Sequence, residues 1–108
     1  MPKYVLMTKL GEAVLQDPRG RKEVGDEWRR RIKKLCPEVK VIEHLALLGP
    51  YDFLTIYEAP SDEEAHKVSV LSRASGAKRA ESWPAISYER FLEITEPVER
   101  LVNEDLDD

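Results

Sequence analysis

The chain has 108 residues, enough for one domain with a modest core; 42% are apolar and 35% charged, with both signs interspersed, so the high charge content does not imply disorder. A net charge of −4 gives no bulk attraction for nucleic acid or an anionic membrane, so neither partner is expected. The single cysteine, Cys36, excludes an intrachain disulfide, no signal-peptide core follows Met1-Pro2-Lys3, and no apolar run could span a bilayer; the expectation is a soluble, cytoplasmic protein.

The run Lys3-Tyr4-Val5-Leu6-Met7-Thr8-Lys9 is apolar on both faces and rich in β-formers, as expected of a central strand covered on both sides. Residues 10–16 read as a connector or a short irregular helix. Asp17-Pro18 then offers an N-cap followed by a first-turn proline, which predicts a helix to about Leu35. Its apolar stripe is Val24, Trp28, Ile32 and Leu35, and Pro37 stops it.

Residues 39–48 and 51–58 read as two strands joined at Gly49-Pro50. In that register Leu48 faces Tyr51, Ala46 faces Phe53 and His44 faces Thr55. One sheet face then carries Ile42, His44, Tyr51, Phe53, Thr55 and Tyr57. The other carries Val41, Glu43, Leu45, Asp52, Leu54 and Ile56. Ser61-Asp62-Glu63-Glu64 is a capping box that opens a second helix, with Ala65, Val68, Ser69, Leu71 and Ser72 inward and Gly76 as its C-cap. Residues 77–86 form a fourth strand, polar enough for an edge, with Pro84 near its end. Ser87 caps a short helical stretch through Phe91 and Leu92. A separate final turn takes in Val98, Leu101 and Val102, and the acidic tail from Glu104 frays. The expected division is a domain over residues 1–95 and a C-terminal extension over 96–108.

The order β-α-β-β-α-β predicts an α+β, ferredoxin-like fold with a four-stranded antiparallel sheet. Right-handed crossovers put both helices on one face. The other face is also apolar, and a second copy laid sheet against sheet is the simplest cover. The expectation is a homodimer of the dimeric α/β-barrel type, or a higher homo-oligomer.

Gly49-Pro50-Tyr51-Asp52, set between two strands and ahead of a capped helix, resembles the Gly-x-Tyr-Asp signature of the GYD domain family. The similarity extends over about residues 2–94. It includes the opening Pro2-Lys3-Tyr4-Val5-Leu6, the strand Phe53 to Glu58, Ala59-Pro60, the run Ser61-Asp62-Glu63-Glu64 and Ala74-Ser75-Gly76. One position departs: Pro50 stands where an acidic or polar residue is usual. The resemblance implies a ferredoxin-like fold in the broad dimeric α/β-barrel group. That group includes cofactor-independent monooxygenases, muconolactone isomerases, chlorite-dismutase-like haem proteins and ligand-sensing domains of transcription regulators. The family brings no established reaction.

Five residues are candidates for a ligand site: Tyr4, His44, Tyr51, Asp52 and Trp83. His44, on an apolar sheet face, suits a base or an interface histidine; no acidic residue on that face orients it. Tyr51 and Asp52 suit ligand contacts, and Asp52 equally suits a side-chain bond that fixes the turn. Tyr4 and Trp83 are large enough to wall a cavity, and Trp83 equally suits a dimer contact. Trp28 reads as core. Arg29, Arg30, Arg31, Lys33 and Lys34 read as a solvated face with i,i+4 partners rather than a nucleic-acid patch. His66 reads as solvated. Cys36, at a helix C-terminus, does not suit a nucleophile, and with the two histidines it lacks metal-ligand spacing. No cofactor and no metal are expected. The leading reading is a small protein that binds an organic molecule between sheet and helices, with cofactor-independent oxygenase or isomerase chemistry as the nearest analogy. The rival is a non-catalytic ligand sensor or oligomeric scaffold.

Overall fold

A computed structural model describes residues 1–107. Its elements in chain order are β1 (Lys3–Leu10), α1 (Glu12–Leu15), α2 (Arg21–Leu35), β2 (Lys40–Ala46), β3 (Phe53–Glu58), α3 (Asp62–Ala74), β4 (Ala77–Ala85) and α4 (Tyr88–Asp107). The four strands form one antiparallel sheet in the order β2-β3-β1-β4. This is the expected ferredoxin-like arrangement, with β1 central and β4 at an edge.

The capping signals are realised where they are local. The Ser61 hydroxyl accepts the Glu64 amide at the start of α3. At the other end Gly76 has φ of +111°, the left-handed conformation that suits glycine. The start of α2 differs from expectation. Its N-cap is Gly20, not Asp17. The Asp17 carboxylate is engaged instead by the Arg19 amide at 2.9 Å and by the Arg19 guanidinium, and Gly20 N–H donates to Asp17 O. That closed turn delays the helix by three residues.

The hairpin register holds from Ala46↔Phe53 to His44↔Thr55. It then slips at a bulge between Val41 and Glu43, so that Val41, not Ile42, pairs with Tyr57. Ile42 is the extra residue and stands exposed. The core lies between the sheet and the second half of α2 together with α3. It is built of Tyr4, Leu6, Ile32, Cys36, Tyr57, Ala59, Ala65 and Val68. Leu35, expected in the α2 stripe, is half exposed.

The C-terminal segment is the largest departure. The expected short stretch, separate turn and frayed tail are one continuous helix, α4, with Pro97 inside it. The residue division expected at 95/96 therefore falls within this helix. Proline costs the helix an amide donor, yet α4 runs on in solvent beyond the sheet. Its apolar side chains Phe91, Ile94, Val98 and Leu101 recur at heptad spacing and are all exposed. No helix among the described residues is long and apolar enough to cross a membrane.

Candidate functional site

Helix α2 covers the sheet unevenly. Trp28 and Ile32 pack into the core, while the first two turns of α2 stand off the sheet. The gap is a cleft of about 640 Å³. Its floor is sheet: Thr8, His44, Ala46 and Phe53. The N-terminal half of α2 forms one wall, and Leu10, Val14 and Ala77 close the far end. Apolar groups dominate the lining, with a few polar atoms among them, as is common for organic-ligand sites.

His44 lies at the centre of this arrangement. Its ring stacks on Phe53 with centroids 4.8 Å apart and on Trp28 at 5.7 Å. Its Nδ1 shares a 2.7 Å hydrogen bond with Thr55 Oγ1, which fixes the ring and leaves Nε2 as the second polar atom. Desolvation between the flanking rings, and then the Arg29 charge, lower its pKa below the ordinary value, so the imidazole is neutral at pH 7. Trp28 is held in turn by its Nε1–H, which donates to Ser72 Oγ at 2.9 Å, and Ser72 donates to Val68 O at 2.7 Å.

Asp52 also faces the cleft, opposite to the expected assignment. Its amide donates to Thr8 O, its carbonyl accepts Leu47 N–H, and its Oδ2 accepts the Leu10 amide at 2.7 Å. The alternation of a pleated strand holds only within the ladder, and β3 begins at Phe53. Asp52 is outside it, so its side chain is placed by the Leu10 amide rather than by the pleat.

The other three candidates lie elsewhere. Tyr51 points to the opposite sheet face, where its hydroxyl donates to Glu81 Oε2 at 3.2 Å. Trp83 is opposite Val5 on that same face and is half exposed, so it walls no part of the cleft. Tyr4 is buried in the core, stacked on Tyr57 at 5.4 Å, and donates to Asp62. The acceptor carboxylate and burial push its pKa up to about 12. Tyr57, buried beside it, is also raised to about 12 by desolvation, and its hydroxyl donates to Ser82 Oγ at 2.7 Å. Both phenols are structural. Cys36 is fully buried, and burial with the neighbouring Glu64 carboxylate pushes its thiol up to about 11, away from nucleophilic chemistry. His66 is exposed on α3. The described residues contain no group of three or more His, Cys, Asp or Glu that could hold a metal ion.

Residues missed from sequence are Thr8, Gly25 and Phe53, together with the cleft-facing role of Trp28. The period of α2 contains the signal. Arg21, Gly25, Trp28 and Arg29 fall on one side of the helix, and the glycine interrupts it with a bare position.

None of the curated proteins matches this chain. The crystal structure of FFRP-DM1 superposes with a TM-score of 0.53 at 16% identity, covering 80% of this chain and all of that one, a likeness of fold alone. The family model of the GYD domain matches residues 4–95, which hold all of the sheet but Lys3, both packed helices and every residue of the cleft. The chain belongs to the GYD-domain family.

Proposed function

We propose that this protein binds an organic small molecule in the cleft between the sheet and α2, and that it works as a cytoplasmic homodimer of the α/β-barrel type. The observation that supports binding is the cleft itself: an apolar recess of about 640 Å³ with a stacked, hydrogen-bonded imidazole on its floor. A histidine held this firmly, neutral at pH 7 and open on Nε2, suits proton abstraction when Nδ1 carries the hydrogen. That supports cofactor-independent oxygenase or isomerase chemistry. Pairing is supported by the second sheet face, where Val5, Leu45, Leu54, Ile56 and Trp83 form an apolar surface with no helix over it.

A non-catalytic sensor or scaffold is the second reading. It is favoured by the partner of His44, a hydroxyl and not a carboxylate, so no negative group stabilises an imidazolium there. The test is a screen of aromatic and enolic compounds against ¹⁵N-labelled protein, followed by turnover assays with the binders. Turnover lost in His44→Ala with binding retained supports catalysis; binding without turnover in the native chain supports the sensor. Absence of any binder at the cleft refutes both.

A further inference from the structure

We infer that the cleft takes an aromatic organic anion, its ring against the Trp28–His44–Phe53 stack and its carboxylate at the guanidinium groups of Arg21 and Arg29. This rests on the binding function proposed above and names the class of molecule bound.

Some charges of α2 and its lead-in are matched, and Arg30, Lys33 and Lys34, which have no ion pair among the described residues, lie outside the cleft lining. Lys22 pairs with Asp26 at 3.0 Å, Arg31 pairs with Glu27, and Arg19 joins Asp17 to Glu27. Arg21 and Arg29 also line the cleft, yet among the described residues neither has a carboxylate or a hydrogen-bond partner. In a chain with 21 acidic and 17 basic residues, two unmatched guanidinium groups beside one recess leave its mouth positive against the net charge. The carboxylates of the lining offset them only in part: Asp26 is paired with Lys22, and Asp52, whose Oδ2 accepts the neutral Leu10 amide, stands against the two arginines, so three cations face two carboxylates around the recess. Guanidinium groups are suited to planar carboxylates, which they grip through two parallel hydrogen bonds.

Gly25 carries the second part of the argument. It lies one turn from each arginine, and a Cβ placed there would meet no atom within 4 Å. A glycine inside a helix is destabilising relative to alanine. Here packing does not require it, so the bare position is open space facing the cleft between the two charges. A flat ring can approach the helix backbone there and still reach the sheet aromatics.

The test uses three compounds: 2-naphthoate, neutral 2-naphthol, and octanoate as an aliphatic acid of the same charge. Binding is followed by the Trp28 indole and His44 imidazole NMR signals, with the Trp83 indole as the control on the opposite face. The expected result is naphthoate binding at least tenfold more tightly than either other compound. Arg29→Gln and Arg21→Gln each weaken naphthoate about tenfold and leave naphthol unchanged. Gly25→Leu abolishes binding of both without lowering Tm; if that variant folds poorly, the arginine variants decide. Naphthol binding as tightly as naphthoate, or naphthoate indifferent to both arginine changes, overturns the anion. Octanoate equal to naphthoate overturns the aromatic ring. These outcomes leave the cleft as a binding site, whereas no shift at Trp28 or His44 with any compound removes that reading as well.

Discussion

The two faces of the one sheet are built on different rules. On the helix-covered face nearly every polar side chain has a partner: Tyr4 with Asp62, Tyr57 with Ser82, Trp28 with Ser72, His44 with Thr55. Among the described residues no buried side-chain nitrogen or oxygen is left without one. On the opposite face Tyr51–Glu81 is a polar link, and Val5, Met7, Leu45, Leu54, Ile56 and Trp83 share the face with the charged Lys3, Glu43 and Glu58. A network of directed bonds can hold ring positions to within a fraction of an ångström, as a ligand site requires. A face of Val, Leu, Ile and Trp fixes no such geometry, but it gains free energy in proportion to the area it hides.

Four measurements sharpen or break this contrast. The largest effect belongs to the covered face: Leu6 is fully buried, and Leu6→Ala is expected to destabilise the fold by about 3 kcal/mol in urea unfolding. A loss below about 1 kcal/mol means that this face is not the core. Next is the open face. Trp83→Glu puts a charge on the proposed pairing surface, at its β4 edge, and should weaken dimerisation by about 2 kcal/mol, roughly 30-fold, by sedimentation velocity. A native chain that sediments as a monomer removes the pairing proposal. It leaves the cleft intact, because the cleft is formed within one chain.

A smaller effect is expected from Tyr57→Phe, which deletes the buried bond to Ser82 while keeping the ring stacked on Tyr4. The cost should be about 1 kcal/mol, since Ser82 retains Ser69 as a partner at 2.6 Å. The smallest effect is a slope with pH. The folded state lowers the His44 pKa, so the unfolded chain binds more protons between the ordinary value near 6.5 and the lower folded value. The stability that His44 contributes is complete above pH 7 and is lost as pH falls through the folded pKa. Tm should therefore decline on acidification below pH 6.5, and His44→Gln should flatten that decline; a variant with the native slope places the titration elsewhere.

The sequence made the sheet legible because its signals are local. Alternation in β3, the Ser61 capping box and the left-handed Gly76 each act within a few residues. Of the site, the placement of His44 followed from its pairing with Thr55. Asp52 and Tyr51 did not follow, because both stand before the ladder begins and take their directions from distant partners, Leu10 and Glu81. The bulge at Ile42 shows the same limit, since nothing within β2 marks an extra residue. Helix α4 was hidden for another reason. Its sequence holds Pro97, a residue disfavoured in a helix interior, yet the helix runs through it in solvent, and no tertiary contact signals its length.

The closed end of the cleft depends on a contact between parts of the chain that are far apart in sequence. Gly76 O accepts the Gly11 amide at 2.9 Å, and a Cβ on Gly76 would lie 1.9 Å from Val14 Cγ2. The end wall is thus fixed from both sides at once: any side chain at 76 collides with Val14, and the positive φ there disfavours one even if Val14 is trimmed. Residue 14 is therefore the adjustable side of that contact: a smaller residue at 14 lengthens the recess and a larger one shortens it, while position 76 admits only glycine.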